Sequence, residues 1–287
     1  MREFGVDEAG KGPVLGSMFA AAVVTDPAAL PGDVGDSKDI APKRREELAA
    51  EIREIAGAVG VAEITVERID DDETDMNSLT VAAHAEALAA ALDDLDDPPR
   101  ASESDEASTG DEPSPESDEP TVDGADPLSG YVDAGDTNAV RFERRVTEGV
   151  ADRLSNVEGD LNAGVALDLR GEHGADETYP VVGAASIVAK VERDAHVERL
   201  AAEHGEVGSG YPSDPTTTEF LESYVADHDA LPPCARATWK TSRDALAAAA
   251  QSSLGEFEPD GGHTGADGDA KADGGHAEPK PTTLDDF

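Results

Sequence analysis

Cysteine and long hydrophobic runs are scarce in this sequence, and each scarcity excludes a class of protein. The single cysteine, Cys234, has no partner for an internal disulfide, which excludes a disulfide-rich secreted domain and a cysteine-based zinc site. The apolar run from Val14 to Val24 is much shorter than the roughly 20 residues of a membrane-spanning helix. The first residues do not resemble a signal peptide. We therefore expect a cytoplasmic protein that does not enter a membrane.

Basic residues are outnumbered by acidic residues, 22 to 64, which gives a formal charge of −42. Self-repulsion on this scale opposes a compact state unless salt screens it. The chain is therefore either a disordered acidic polymer or a folded protein that is adapted to concentrated salt. The periodic apolar segments favour the second interpretation, so we expect a halophile-type acidic surface around a core of small apolar residues.

Two acidic segments, 93–128 and 253–287, differ in composition from the rest of the chain. Both are rich in Asp, Glu, Ser, Pro and Gly and have few residues that could form a core. We expect them to be a disordered insert and a disordered tail. Residues 1–92 and 129–252 would then form a single domain, which is still acidic.

Hydrophobic periodicity predicts strands and helices that alternate along this domain. A glycine-rich turn separates the first two strands, which we expect to pair as a hairpin, and Asn77 is placed to cap a helix. The alternation predicts a layered α/β domain with helices against a mixed sheet. The predicted strands are Glu3–Asp7, Val14–Val24, Val61–Val66, Gly130–Ala134 and Val165–Leu169, and the predicted helices are Arg44–Ala56, Asn77–Leu92, Asn138–Leu154, Val182–His204, Thr216–Ala226 and Thr241–Ser252.

Carboxylates stand at the ends of predicted elements, where they could converge on one pocket. Asp7 and Glu8 end the first strand, Asp133 ends a later one, and Asp176 precedes the long helix. Adjacent side chains of a strand point to opposite faces, so we expect a distortion that turns Asp7 and Glu8 to one side. Taken singly, these acids could also be a solvated strand end or partners of a helix dipole.

Five motifs occur in the order found in type 2 ribonuclease H, and the chain resembles the archaeal form of this family over residues 1–92 and 129–252. They are GVDEAGKGPVLGSM at 5–18, DSK at 36–38, YVDAGD at 131–136, YPVVGAASIVAKVERD at 179–194 and GSGYPSDP at 208–215. The resemblance implies a ribonuclease H-like mixed five-stranded sheet flanked by helices, with a C-terminal helical extension. It also implies an endonuclease that hydrolyses the RNA strand of RNA/DNA hybrids and nicks 5′ to ribonucleotides embedded in duplex DNA.

The same resemblance assigns four catalytic, metal-holding carboxylates, which are Asp7, Glu8, Asp133 and Asp176. Oxygen ligands suit Mg²⁺ or Mn²⁺, and two such ions would leave 3′-hydroxyl and 5′-phosphate ends. Zinc is not implied, because the seven histidines show no paired ligand spacing. We expect most of them to lie at the surface (His84, His173, His196, His204, His228, His263 and His276).

Distinguishing RNA from DNA requires a contact with the 2′-hydroxyl. The resemblance implies that the main chain of Gly10, Lys11 and Gly12 approaches the ribose and that Tyr211 packs on or hydrogen-bonds to the sugar. Members of the family usually carry Arg where this chain has Lys11, which matters if a bidentate phosphate contact is needed. Alone, Tyr211 would be an ordinary aromatic residue at a Gly-Tyr-Pro turn.

The few basic residues lie near the motifs, which predicts a local cationic track for phosphates, although each could also be a solvated surface base. The candidates for substrate binding are Lys38, Lys190 and the neighbouring Ser186, one helical turn before Lys190, with Arg193 and Lys240 as further bases. Since the net charge repels nucleic acid, we expect activity to require high salt or high divalent metal.

The last residues, PTTLDDF at 281–287, partly resemble a sliding-clamp-binding peptide, with Pro281 in place of the usual Gln and a single aromatic residue. Clamp binding and a plain disordered end both remain open. We expect a monomer, because no apolar patch demands a partner. Two rival functions are a type 3 ribonuclease H-like nuclease and a catalytically silent nucleic-acid or clamp adaptor.

Overall fold

The computed structural model describes residues 1–36, 40–95, 127–155 and 166–255. The strands are β1 (Glu3–Ala9), β2 (Met18–Thr25), β3 (Ala58–Ile64), β4 (Leu128–Asp133) and β5 (Leu167–Glu172). The helices are α1 (Pro42–Ile55), α2 (Val66–Ile69), α3 (Met76–Asp93), α4 (Ala139–Ser155), α5 (Ala175–Thr178), α6 (Pro180–His204), α7 (Pro215–His228) and α8 (Lys240–Gly255). Single turns of 3₁₀ helix span Pro27–Ala29 and Val34–Asp36.

The five strands form one mixed sheet in the order β3-β2-β1-β4-β5. The β1–β2 and β2–β3 pairs are antiparallel, whereas β1–β4 and β4–β5 are parallel. The predicted mixed five-stranded sheet and the opening hairpin are therefore confirmed. The parallel pairing brings the carboxyl ends of β1 and β4 together.

Helices cover both faces of the sheet. Alternate residues of β2 face opposite ways: Ala20 and Ala22 join a core with α3 and α4, and Ala21 and Val23 join a core with α1 and α6. Helix α6 crosses β1 so closely that a Cβ on Gly5 would lie 2.2 Å from the Val181 main chain. Only glycine fits there, and this contact fixes the start of α6 next to the end of β1.

The second strand is shorter than predicted. It begins at Met18, because residues 14–16 bond to the C-terminal part of the chain: the amide of Val14 donates to Gly210 O and the amide of Gly16 to Cys234 O. Residues Gly10–Gly12, here called the glycine loop, are the first residues of the connection between β1 and β2. Val14 and Leu15 join Leu221 and Val225 in a separate core under α7 and α8, the predicted C-terminal extension.

Several boundaries also differ from prediction. The cap of α3 is Asp75, whose carboxylate accepts from the amides of Asn77 and Ser78 at 2.9 Å, so the prediction that Asn77 caps the helix was wrong. The single-turn helices α2 and α5 were not predicted, since one turn shows no periodicity. The ends of the predicted insert belong to α3 and β4, and α8 extends into the predicted tail. The remainder of both segments lies outside the described residues, and none of the described helices is long and apolar enough for a bilayer span.

Candidate active site

Asp7 and Glu8 lie near the end of β1 on opposite faces of the sheet. Their pairing with Ala21 and Ala20 of β2 is regular, so the expected distortion is absent. Asp7 is buried beside Ser186 of α6, and its Oδ1 accepts from the amide of Glu8 at 2.7 Å. Glu8 turns instead toward α3. The two carboxylates thus flank the strand end from both sides.

Asp133 lies close to both Asp7 and Glu8, although these two residues lie on opposite faces of the sheet. It ends β4, and its Oδ1 accepts from the amide of Ala175 at 3.0 Å. It is close enough to Asp7, Glu8 and Asp176 to repel each of them. Asp176 is itself buried in the short helix α5. The four predicted carboxylates, which come from three distant segments, therefore form one neighbourhood.

The cluster is electrostatically unfavourable by itself. Burial raises the pKa of Asp7 well above its ordinary value, and repulsion by Glu8 and Asp133 adds to the rise, while Ser186 opposes it. Burial also raises the pKa of Asp133, with further contributions from Glu8 and Asp176 that a hydrogen bond from Ala175 counteracts. Negative charges so arranged are stabilised by a cation placed among them.

The residues fit a hard divalent cation. All four carboxylates offer oxygen ligands. The buried Ser186 hydroxyl lies beside Asp7 but has no hydrogen bond of good geometry with any described residue. No group of three His, Cys, Asp or Glu side chains in the described ranges is placed as a ready-made metal site. Ions held here would therefore share the carboxylates with water and substrate phosphate, as Mg²⁺ commonly does.

An open groove of about 820 Å³ lies next to the cluster and contains most of the predicted substrate-binding residues. The predicted substrate-binding residues in its lining are Gly10, Lys11, Gly12, Lys190 and Tyr211, and Glu8 of the carboxylate cluster also lines it. Tyr211 is 44% exposed, and a Cβ on Gly12 would lie 3.6 Å from its ring. The glycine loop and the tyrosine thus form adjoining parts of one wall.

Lys11 directs its side chain across the site. Its ammonium donates to Gly135 O at 2.5 Å and to Asn77 Oδ1 at 3.4 Å, which ties the glycine loop to the loop that follows β4. The main chain of Lys11 thus contributes to the groove, whereas its ammonium connects the motif at 5–18 to the motif at 131–136. This arrangement fits the interpretation in which the main chain of the loop is what the substrate meets.

The other predicted bases have different environments. Arg193 is buried and donates to Leu15 O at 3.1 Å, so its guanidinium is part of the scaffold. Lys240 is exposed, pairs with Asp244 and is absent from the groove lining, and its place in the cationic track stays a prediction. Arg45 lines the groove instead, with Asp194 as its partner at 2.6 Å. Lys38 lies outside the described residues.

His84 is the site residue that sequence reasoning missed. It is fully buried on α3, its Nε2 lies 2.7 Å from Glu8 Oε2, and its ring meets Phe142 edge-on at 5.1 Å. Its Nδ1 has no hydrogen-bond partner in the described chain, so Nε2 is the ring nitrogen through which His84 contacts Glu8. His84 is thus an exception to the expected surface position of most histidines, and the signal was its place in an alanine-rich, buried helix.

The mixed sheet in this strand order, with carboxylates at the ends of adjacent parallel strands, defines a protein of the ribonuclease H-like fold. The family model described as Ribonuclease HII matches residues 4–114 and 136–242. The chain is 58% identical over 254 residues to ribonuclease HII of Haloarcula marismortui, covering 88% of this chain and 99% of that protein. The chain belongs to the ribonuclease HII family, and it is a ribonuclease H.

Solved structures agree with this assignment. Ribonuclease H2 from Pyrococcus horikoshii matches with a TM-score of 0.65 and 32% identity, over 88% of this chain and 100% of that one. The PCNA:RNase HII complex from Archaeoglobus fulgidus matches with a TM-score of 0.62 and 33% identity, over 84% and 96%. The type 3 and silent-adaptor alternatives are therefore set aside. Relatives from halophilic archaea also agree with the acidic composition.

Proposed function

We propose that this ribonuclease H hydrolyses the RNA strand of RNA/DNA hybrids and nicks duplex DNA on the 5′ side of embedded ribonucleotides, with two divalent ions. One observation carries the proposal: Asp7, Glu8, Asp133 and Asp176 are neighbours beside a groove walled by the glycine loop and Tyr211. Carboxylates suited to cations thus adjoin a main-chain surface that can approach a sugar closely.

In the proposed reaction, Asp7, Glu8, Asp133 and Asp176 would hold two Mg²⁺ or Mn²⁺ ions. Such ions, when bound, supply an activated water and stabilise the charge that develops on the leaving 3′-oxygen. The residues of the chain orient the reacting groups: His84 fixes the Glu8 carboxylate, and Ala175 fixes that of Asp133. Asp176 is proposed to orient the attacking water, and Lys190, which lines the groove, is proposed to meet the substrate phosphate.

The direct test of this proposal is cleavage of an end-labelled duplex that carries one ribonucleotide, with an all-DNA duplex of the same sequence as the control. We expect a nick on the 5′ side of the ribonucleotide only, with a 3′-hydroxyl that a DNA polymerase can extend. Cleavage of long hybrids without any nick at the single ribonucleotide would reject the finer specificity while leaving the ribonuclease H activity in place.

Tyr211 supplies the aromatic part of the sugar-reading wall. Replacing a stacked aromatic by alanine costs about 1–3 kcal/mol, which corresponds to roughly 5- to 150-fold in binding. We expect Tyr211→Ala to raise KM for the single-ribonucleotide duplex within that range. Tyr211→Phe separates the hydroxyl from the ring, and Tyr224→Ala on α7, which stacks on His228 away from the groove, is the matched control. An unchanged KM for Tyr211→Ala would remove the ring from recognition.

The C-terminal residues 281–287, which lie outside the described residues, are proposed to bind a sliding clamp. Support comes from the partial peptide resemblance and from the similarity of the chain to the ribonuclease HII that was solved in complex with PCNA. Deleting Leu284–Phe287 should abolish clamp pull-down and leave cleavage of short duplexes unchanged, because those substrates need no clamp. Retention of the clamp by the truncated chain would contradict this role for the peptide.

A further inference from the structure

The glycine loop is held from behind by a segment more than two hundred residues away in sequence. Arg236 is fully buried, and its guanidinium donates to Gly10 O at 2.6 Å, to Lys11 O at 3.0 Å and to Gly16 O at 2.8 Å. Trp239 adds a fourth bond, from Nε1 to Gly12 O at 3.2 Å. The Arg236 guanidinium also lies 4.9 Å from the centre of the Trp239 ring.

These bonds determine which way the amides of the loop point. In a trans peptide the C=O and N–H of one unit point in opposite directions, and the described chain contains no cis peptide. Because Gly10 O and Lys11 O point inward to Arg236, the amides of Lys11 and Gly12 point outward. Neither amide donates to another described residue. The outward side is the groove, whose wall includes this loop and Tyr211.

The arginine also strengthens these amides as donors. Its guanidinium hydrogen bonds in the described chain all go to main-chain carbonyls, and a charged donor polarises the peptide that accepts from it. Burial, followed by the nearby Arg193, lowers the pKa of Arg236 to about 10, so the guanidinium stays protonated at neutral pH. A buried charge is also screened by salt much less than a surface charge, which matters for an acidic protein.

We propose that Arg236, assisted by Trp239, sets the preference for a ribose by aiming and polarising the amides of Lys11 and Gly12 toward the 2′-hydroxyl. This inference rests on the proposed function, in which the glycine loop reads the sugar. Arg236 does not touch the substrate in this account and is a positioning residue. A purely structural role predicts loss of all duplex binding together, whereas a positioning role predicts loss of the ribose preference alone.

The test measures affinity, without divalent metal, for two fluorescent duplexes of one sequence, of which one has a single ribonucleotide and the other is all DNA. It uses the full chain and the lowest salt concentration that keeps the wild type folded. Arg236→Lys keeps the charge but cannot reach three carbonyls, and Trp239→Phe removes only one donor. Arg144→Lys, on an exposed arginine of α4, is the control.

We expect the wild type to prefer the ribonucleotide duplex, Arg236→Lys to lose about tenfold of that preference and Trp239→Phe about threefold. Affinity for the all-DNA duplex should change less than twofold, because phosphate contacts are untouched. If Arg236→Lys does not fold, Trp239→Phe decides, since Trp239 is only partly buried. Folded variants with full preference, or with equal losses on both duplexes, would overturn the inference alone. A wild type without preference would overturn the ribose-reading proposal as well.

Discussion

Asp133→Asn is expected to lower the turnover number on a single-ribonucleotide duplex on the order of 10³-fold. Asp133 is the carboxylate that connects Asp7 and Glu8 to Asp176, and the amide would offer one neutral oxygen where cations need anionic ones. Loss of several kcal/mol of transition-state stabilisation corresponds to a reduction of this size. Asp168→Asn is the matched control, because Asp168 lies on β5 and pairs with Arg170 at the surface.

The same variant should not destabilise the fold. A carboxyl whose pKa is raised in the folded state binds its proton more tightly there, so stability falls as pH rises from the unfolded pKa, about 3.9, through the folded one. Above that pH window the charged Asp133 carboxylate lowers the stability of the folded state, and asparagine removes this destabilisation. Without divalent metal, Asp133→Asn should therefore melt at or above the wild-type temperature at pH 7, with the difference vanishing near pH 4. Wild-type nicking by this variant, or a large drop in its melting temperature, would contradict the assignment.

Lowering the salt concentration should cause the second large loss, in both structure and activity. The chain carries a formal charge of −42, and the Debye length grows from about 3 Å at 1 M salt to about 10 Å at 0.1 M. Repulsion between surface acids and repulsion of the polyanionic substrate both increase as screening weakens. We expect circular dichroism and nicking to decline together below roughly 1 M KCl and to be largely lost below about 0.1 M.

Screening can be separated from general compaction by adding a neutral osmolyte in place of salt. An excluded solute such as sucrose favours compact states without shielding charge, so it should restore structure poorly compared with KCl. Divalent salt at lower concentration should restore activity more effectively than KCl, because it also supplies the proposed site. Full structure and peak activity below about 0.1 M salt would contradict the salt-adapted interpretation.

Prediction from sequence was most successful where local periodicity carries the information. The helices α1, α3, α4, α6, α7 and α8 and all five strands were predicted within a few residues, because each contains an apolar run or repeat that is visible in the local sequence. Errors fell at boundaries that tertiary contacts set. The composition of Val14–Ser17 predicts a strand. These residues lie outside the sheet, because the amides of Val14 and Gly16 donate to Gly210 O and Cys234 O.

The sequence by itself determined the α/β class, the acidic character and the motif order that identifies the family. Only the tertiary structure decided that Asp7 and Glu8 approach the site from opposite faces, that His84 holds Glu8, and that Arg236 supports the glycine loop. The physical reason is the separation in sequence between the residues that make these contacts. Periodicity and motifs report which residues share a face or a turn, whereas these contacts join residues 76 to 226 positions apart and arise only when the sheet and its covering helices have packed.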